Sequence, residues 1–239
     1  MGRAFEVRKA SMAKTGAAKA KLYTKFSREI YMLAKNGTPD PEANLALKHM
    51  MEKAKKQQVP ADIIARAVEK AKGGGGEDYQ AVRYEGFGPN GSTIIVDCLT
   101  DNVNRTVSEV KVCFTKSKSK MGVSGSVAHM YDNLGIIEVA NLTEEEVMEA
   151  LIEGDVDPKD IEVESNIIIY VEAVDLHKAV VALSEYKAEI EILEQEIAML
   201  PQIETELDNE EDKENFQKLL NMLDEVDDVQ EVYHSVVNI

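Results

Sequence analysis

The chain has 239 residues, 44% of them hydrophobic and 30% charged, with a formal net charge of −17; this balance is typical of two or three modest globular domains. No apolar run approaches the roughly 18 residues of a membrane span, and the N-terminal sequence lacks the apolar segment of a secretory signal. The two cysteines, Cys98 and Cys113, lack CxxC spacing, which excludes a disulfide framework and a cysteine zinc site and favours a cytoplasmic location.

A small helical domain is predicted first. Residues 17–36 are predicted to form a helix, because apolar side chains recur at helical spacing, at Leu22, Phe26, Ile30 and Leu33. Asp40 and Pro41 predict the start of a second helix, as N-cap and first helical residue, and a third helix follows Pro60. The apolar faces of these helices are interpreted as core.

Four consecutive glycines, Gly73–Gly76, end this domain. Such a run cannot pack side chains and predicts a flexible hinge. A phosphate-binding glycine loop is rejected because it needs a strand before it and a helix after it, and the predicted order here is the reverse.

Beyond the hinge, the pattern changes to strands and helices. Strands are predicted at 82–85, 92–99 and 127–139, with a helix from Asn102 through Phe114. A Thr143–Glu146 capping box opens a helix that ends at Gly154. The remaining predictions are a strand at 161–171, a helix at 175–186, a strand at 189–198, an acidic loop at 204–214, a helix at 214–223 and a strand at 229–237.

These elements predict an α+β fold of three domains. The unit at 82–139 lacks one helix and one strand, and the C-terminal tail supplies one of each. We therefore expect a basic helical domain over 1–76, an α+β domain built from 77–140 together with 204–239, and an inserted α+β domain over 141–203.

The sequence gives little support for catalysis. The four histidines lie in different predicted elements without metal-ligand spacing, and no nucleophile-elbow, Walker or dinucleotide-binding motif occurs. We expect a non-enzymatic protein with no catalytic residues, metal, cofactor or small-molecule substrate, and no membrane partner. The oligomeric state is left open.

Charge is distributed very unevenly along the chain. Residues 1–76 carry 16 Lys and Arg against 7 Asp and Glu, and the other 163 residues carry 11 against 37. Clustered basic residues are typical of proteins that bind nucleic acid. The alternative is that the basic and acidic regions attract each other.

The first 28 residues carry eight of the basic side chains against one acid, Glu6. Their positive charges would release counterions from phosphates, giving affinity that depends on salt. No helix presents a row of base-reading side chains, so phosphate or shape readout is expected. The candidate nucleic-acid-binding residues are Arg3, Arg8, Lys9, Lys14, Lys19, Lys21, Lys25 and Arg28.

A possible second anion site follows the helix predicted in the middle domain. Its loop of small residues could present backbone amides to an anion, and an exposed turn is an equally good interpretation. The candidate residues are Arg105, Lys116, Lys118, Lys120, Ser124 and Ser126.

Several ordered stretches resemble the YebC/PmpR family of bacterial proteins, to which a mitochondrial translational activator of cytochrome oxidase also belongs. These stretches are Tyr23–Ile30, Asp40–Asn44, Arg83–Gly91, Thr100–Thr106, Gly122–Val127 and Glu191–Ile197. The chain differs at its start, where Met1–Lys9 replaces the usual Gly-His-Ser-Lys-Trp motif, and around Ser117–Ser119, where lysine is added. It is similar to a variant branch of the family.

The resemblance implies a three-domain α+β protein without enzymatic activity. It implies first a DNA-binding transcriptional regulator, and alternatively a ribosome-associated translation factor that binds ribosomal RNA and relieves stalled elongation. A third hypothesis comes from the charge pattern: an acidic adaptor, in which residues 141–239 recruit a basic protein.

Overall fold

The computed structural model describes residues 19–73, 78–187 and 190–239 of the chain. The helices in these ranges are α1 (Lys19–Asn36), α2 (Leu45–Lys56), α3 (Ala61–Lys72), α4 (Val103–Lys116), α5 (Glu144–Glu153), α6 (Leu176–Tyr186) and α7 (Glu210–Glu225). The strands are β1 (Gln80–Phe87), β2 (Thr93–Thr100), β3 (Lys120–Met121), β4 (Tyr131–Ala140), β5 (Asp160–Val163), β6 (Ile167–Glu172), β7 (Glu191–Pro201) and β8 (Val229–His234). The predicted α+β class, a helical N-terminal unit followed by sheet-containing units, is confirmed.

Helices α1, α2 and α3 form a helical unit with its own core. Phe26 and Ile30 of α1 pack with Leu47 of α2 and Ile64 of α3, and each side chain is at most 5% exposed. All side chains described in this core lie between Leu22 and Tyr79. The unit therefore buries its apolar faces without using side chains of either sheet.

Helix α2 begins at Leu45, and the start predicted at Asp40 and Pro41 is wrong. The side-chain oxygen of Asn44 accepts a hydrogen bond from the backbone N–H of Leu47 at 3.1 Å, which caps the helix. Asp40 instead closes a turn before it. A cap needs an acceptor facing the first amides of the helix, and Asn44 holds that position.

The first sheet is antiparallel and has the order β3-β1-β2-β8. Its last strand comes from the end of the chain, and α7, which precedes that strand, packs beside α4 on one face of the sheet. Phe114 of α4 and Phe216 of α7 are buried there against Ile94 and Val96 of β2. The tail thus completes the sheet that β1 and β2 begin.

The second sheet has the order β5-β6-β4-β7. The strand predicted at 127–139 corresponds to β4, which pairs with β6 and β7 in the second sheet. The predicted domain boundary at residue 140 would instead place this strand with the first sheet. A central strand is buried on both faces, so its sequence is almost continuously apolar. That pattern indicates a central strand without indicating which sheet it joins.

The two sheets pack face to face. Ile95 of β2 and Tyr233 of β8 share an apolar cluster with Leu134 and Ile136 of β4. Helices α5 and α6 cover the opposite face of the second sheet. The sheet-containing part of the molecule therefore has four layers, with helices outside and sheets inside.

The single strand predicted at 161–171 is a hairpin of β5 and β6. The chain reverses where the backbone N–H of Glu164 donates to the carbonyl of Asn166 at 2.9 Å. Because apolar residues lie on both sides of this short turn, the sequence pattern predicts one continuous strand. The predicted capping box of Thr143 and Glu146 is confirmed at the start of α5.

Helix α7 begins earlier than the predicted Glu214, because part of the acidic stretch predicted as a loop is helical. Asn209 caps it, accepting from the backbone N–H of Asp212 at 2.8 Å. Glu210, Glu211 and Asp212 fill the first turn. Negative side chains are favourable there because the helix N-terminus carries partial positive charge.

Candidate nucleic-acid interface

The structure describes three side chains of the predicted nucleic-acid-binding set. Four predicted residues lie outside the described ranges, namely Arg3, Arg8, Lys9 and Lys14. Lys19 opens α1, but its side chain is not among those described. The other three, which we call the α1 cations, are Lys21, Lys25 and Arg28.

Each α1 cation is paired with an acidic side chain near the end of the chain. We call these partners the docking acids; they are Asp224, Asp228 and Glu231. The separations are 3.6 Å from Lys21 Nζ to Asp224 Oδ1, 2.6 Å from Lys25 Nζ to Glu231 Oε1 and 3.0 Å from Arg28 NH1 to Asp228 Oδ1. The first helix therefore docks on the end of α7, the start of β8 and the short link between them.

Backbone carbonyls of the same segment add to the docking. Lys25 donates to the carbonyl of Gln230, and Arg28 donates to the carbonyl of Asp227 at 2.8 Å. The side chains of Lys21, Lys25 and Arg28 are only 24%, 22% and 16% exposed. In this conformation the three residues contact the acidic region of the same chain. This is the alternative that the charge distribution left open.

Asp228 is the centre of the docking contact, with a side chain only 2% exposed. One carboxylate oxygen accepts from Arg28, and the other accepts from Arg105 at 2.7 Å, from Thr106 at 2.7 Å and from Thr100 at 3.0 Å. Burial raises the pKa of Asp228, but the hydrogen bonds from Arg105, Thr106 and Thr100 outweigh it and hold the pKa below its ordinary value. The group stays charged because donors replace the lost water.

The structure does not bring Arg105 together with Lys116, the nearest of the predicted lysines along the chain. Its guanidinium is held by Asp101 and Asp228, each at 2.7 Å, near the start of α4. Lys116 is the last residue of that 14-residue helix. At about 1.5 Å per residue, the two side chains lie at opposite ends of the helix.

The three predicted lysines differ in their surroundings. Lys118 forms an ion pair with Glu211 of α7, whereas Lys116 and Lys120 are exposed. Lys111, one turn before the end of α4, is exposed as well. These positions present positive charge to solvent, but they do not enclose a site.

The loop predicted to bind an anion through its amides already holds one, the carboxylate of Glu85. This side chain on β1 accepts from the backbone N–H groups of Gly125 at 2.7 Å, Val127 at 2.5 Å and Ala128 at 2.8 Å. Glu85 is only 3% exposed, and this burial raises its pKa. The hydrogen bonds from the three amides lower the pKa by more than burial raises it, so the pKa of Glu85 lies below its ordinary 4.5.

The two serines of this loop are placed differently. Ser124 is exposed, while Ser126 is half-buried with its hydroxyl against Gly122, whose missing side chain leaves room for it. An added Cβ on Gly122 would lie 2.4 Å from that hydroxyl oxygen. Among the predicted residues of the second site, Lys116, Lys118, Lys120, Ser124 and Arg105 are exposed, but Lys118 and Arg105 are ion-paired within the chain.

A second contact joins the helical unit to the second sheet. Lys53 Nζ lies 3.8 Å from Glu196 of β7, and Lys56 donates to the carbonyl of Ile192 at 3.4 Å. The rings of His49 on α2 and His177 on α6 lie 5.6 Å apart. Polar groups therefore dominate this side of the docking as well.

The described residues contain no group of three or more His, Cys, Asp and Glu that could hold a metal ion. His129 lies in a single 3-10 turn, Ala128–Met130, and not in the predicted strand. In the same part of the chain, no helix has the length and apolar character needed to cross a membrane.

Sequence reasoning missed the docking acids and Glu85. One signal for the former was present, since Asp224–Glu231 contains five acidic residues in eight. Nothing in the sequence paired that segment with α1, because the contact joins residues about 200 positions apart. Glu85 gave no signal, since one acid in an alternating strand normally faces solvent.

Comparison with known proteins gives matches along nearly the whole chain. Residues 3–74 match the family described as TACO1/YebC protein N-terminal domain, and residues 79–236 match the family described as TACO1/YebC second and third domain. A crystal structure of a conserved hypothetical protein from Aquifex aeolicus is 36% identical, with a TM-score of 0.79, over 94% of this chain and 92% of that one.

Similar sequences carry a functional name. A protein of Hydrogenovibrio crunogenus is 53% identical over 237 residues, covering 99% of both chains. A protein of Alteromonas mediterranea is 49% identical over 238 residues, again covering 99% of both. Each is named probable transcriptional regulatory protein.

Proposed function

Because the chain belongs to the TACO1/YebC family, we propose that it is a non-enzymatic regulator of gene expression that binds nucleic acid. The name of the relatives supports a DNA-binding transcriptional regulator as the first candidate. A regulator of this kind would act in the cytoplasm, where its nucleic-acid partners are.

The observation that carries the proposal is the concentration of positive charge at the N-terminal end. Residues 1–76 carry 16 basic against 7 acidic side chains in a chain with a net charge of −17. These include Lys55, Lys56 and Lys72 in the last turns of α2 and α3, which are exposed. Such a surface binds phosphates by releasing their counterions.

A ribosome-associated translation factor is the second candidate, and the kind of basic residue favours it. Twelve of the 16 basic residues in 1–76 are lysines, and they include the exposed Lys55 and Lys56 at the end of α2. Lysine is a point charge that binds phosphates without the planar fork by which arginine reads guanine. Structured RNA offers the shape readout that such a surface would use.

Ultraviolet crosslinking in growing cells distinguishes these candidates. After purification of the crosslinked protein, a peak of ribosomal RNA at one site would support the translation factor, and promoter DNA without an RNA peak would support the transcriptional regulator. Crosslinks to protein alone would favour the third hypothesis, the acidic adaptor formed by residues 141–239.

The basic arm is tested by removing its charge in the full chain. We expect replacement of Arg3, Arg8, Lys9 and Lys14 by Ala to weaken binding to all nucleic-acid sequences alike. The slope of log affinity against log salt should become shallower by about 3.6 for a duplex, because each of the four lost phosphate contacts removes about 0.9. Fluorescence anisotropy with a labelled duplex and a labelled RNA hairpin, over a salt series, measures both effects.

A matched control removes four lysines from the acidic part of the molecule, at Lys159, Lys178, Lys213 and Lys218. It changes the net charge equally but lies outside the basic region. Equal loss of affinity in the two variants would show that net charge, and not the arm, determines binding.

A further inference from the structure

The α1 cations have two potential uses. The proposed function needs them for phosphates, and the structure pairs all three with the docking acids. A side chain of which 16% to 24% is exposed offers little surface to a phosphate. The two uses are therefore mutually exclusive unless the helical unit moves.

The docking contact is chemically similar to a contact with nucleic acid. Asp224–Glu231 places five carboxylates in eight residues, and the carbonyls of Asp227 and Gln230 point at the same cations. Oxygen atoms with negative or partial negative charge thus surround the ammonium and guanidinium groups, as phosphate oxygens would.

The helical unit can leave this contact without losing its core. Its described apolar core contains no side chain of either sheet. The contacts described between it and the rest of the molecule are mainly ion pairs and hydrogen bonds, which water can replace: those of the α1 cations, Lys53 with Glu196, and Lys56 with a carbonyl. The ring contact of His49 with His177 would be lost as well. Tyr79 packs in the core of the helical unit and directly precedes β1, so the chain must bend between Tyr79 and Gln80 on undocking.

Undocking also leaves Asp228 satisfied. When Arg28 departs, the carboxylate keeps hydrogen bonds from Arg105, Thr106 and Thr100. A buried charge without donors would oppose release, and Asp228 has donors of its own unit. The other two docking acids are partly exposed, Asp224 at 43% and Glu231 at 24%, so water can reach them.

We propose that Asp224–Glu231 is an intramolecular competitor of nucleic acid, which occupies the α1 cations until the helical unit undocks and a polyanion takes its place. This inference rests on the proposed nucleic-acid binding. It predicts that the measured affinity of the intact chain equals the affinity of the undocked form multiplied by the fraction of molecules that are undocked.

The test neutralises the competitor and leaves the cations in place. The variant Asp224→Asn/Glu231→Gln keeps side-chain size and leaves Asp228 untouched. We expect it to bind a labelled duplex or RNA hairpin about fivefold more tightly than the natural sequence, since two partly exposed ion pairs are lost from the docked form. The control Asp157→Asn/Glu164→Gln makes the same charge change at exposed positions outside the contact, and should change affinity less than about twofold.

Salt dependence gives a second readout, which does not depend on absolute affinity. Salt weakens the phosphate contacts in both proteins, but the variant has two fewer competing ion pairs for salt to weaken. The slope of log affinity against log salt should therefore be steeper for the variant. The single change Asp224→Asn, at an exposed carboxylate, gives a smaller effect in the same direction if the double variant folds poorly.

The outcomes separate the two proposals. If the natural chain binds and the variant matches its control in affinity and slope, the competitor is overturned and nucleic-acid binding stands. If neither the natural chain nor the variant binds DNA or RNA, both proposals are overturned.

Discussion

Two buried carboxylates, Glu85 and Asp228, organise the parts of the molecule to which binding was assigned. Both retain charge because donors replace water: backbone amides around Glu85, and an arginine pair with two threonine hydroxyls around Asp228. The amide loop and Arg105 were predicted to bind an external anion. The amides of this loop and the guanidinium of Arg105 do bind an anion, but in each case the anion is a carboxylate of this chain.

We expect Glu85→Gln to lower the free energy of unfolding by about 2 to 3 kcal/mol near neutral pH, because the amide group turns a donor toward amides that need an acceptor. The folded-state pKa of Glu85 lies below its ordinary 4.5, so its stabilisation is present above that pH and is lost as pH falls through the folded-state value. The difference between variant and natural chain should therefore shrink on acidification.

Urea unfolding over a pH series measures this difference. Glu164→Gln, at an exposed position, is the control and should have little effect at any pH. A loss for Glu85→Gln that stays constant into the acidic range would contradict the assigned role of the charge.

At the scale of elements, Asn44 joins two helices. Its oxygen caps α2, and its side-chain amide donates to the carbonyls of Leu33 and Thr38, both at 2.9 Å. We expect Asn44→Ala to lower the free energy of unfolding by about 1 to 2 kcal/mol. Asn44→Ser should lose less, because its hydroxyl keeps a capping oxygen, and Asn104→Ala at an exposed position of α4 is the matched control. Urea unfolding followed by circular dichroism measures the losses; equal losses for Ala and Ser would contradict a capping role.

Elements with a local signal could be predicted from the sequence. The capping box of α5 and the apolar stripe of α1 need only neighbouring residues, and both are present in the structure. The sheet membership of β4 and the division of 161–171 into two strands depend on partners distant in sequence or on a three-residue turn. Periodicity carries no information about either.

At the scale of the whole molecule, charge totals predicted two oppositely charged regions but not how they meet. The structure adds that the meeting surface is α1, and that it contains one acid of its own, Glu29. This carboxyl lies near Lys25, Lys53 and Glu231, and burial, with Glu231, raises its pKa above the ordinary 4.5 although the two lysines oppose the shift. Because Glu231 is a docking acid, docking brings a like charge close to ionised Glu29 and costs free energy, and this cost grows as pH rises above the ordinary pKa of Glu29.

Removing that cost should tighten docking and so weaken nucleic-acid binding. We expect Glu29→Gln to reduce the apparent affinity for a labelled duplex about threefold near neutral pH. If the lost negative charge acted directly on the polyanion, the affinity would rise instead. The effect should shrink as pH falls below the ordinary pKa of 4.5, because Glu29 is then protonated in docked and undocked forms alike. It should also be smaller in the Asp224→Asn/Glu231→Gln background, because docking is weaker there and a change that acts through docking has less to act on. Tighter binding by Glu29→Gln in both backgrounds would mean that Glu29 acts on the polyanion directly and not through docking.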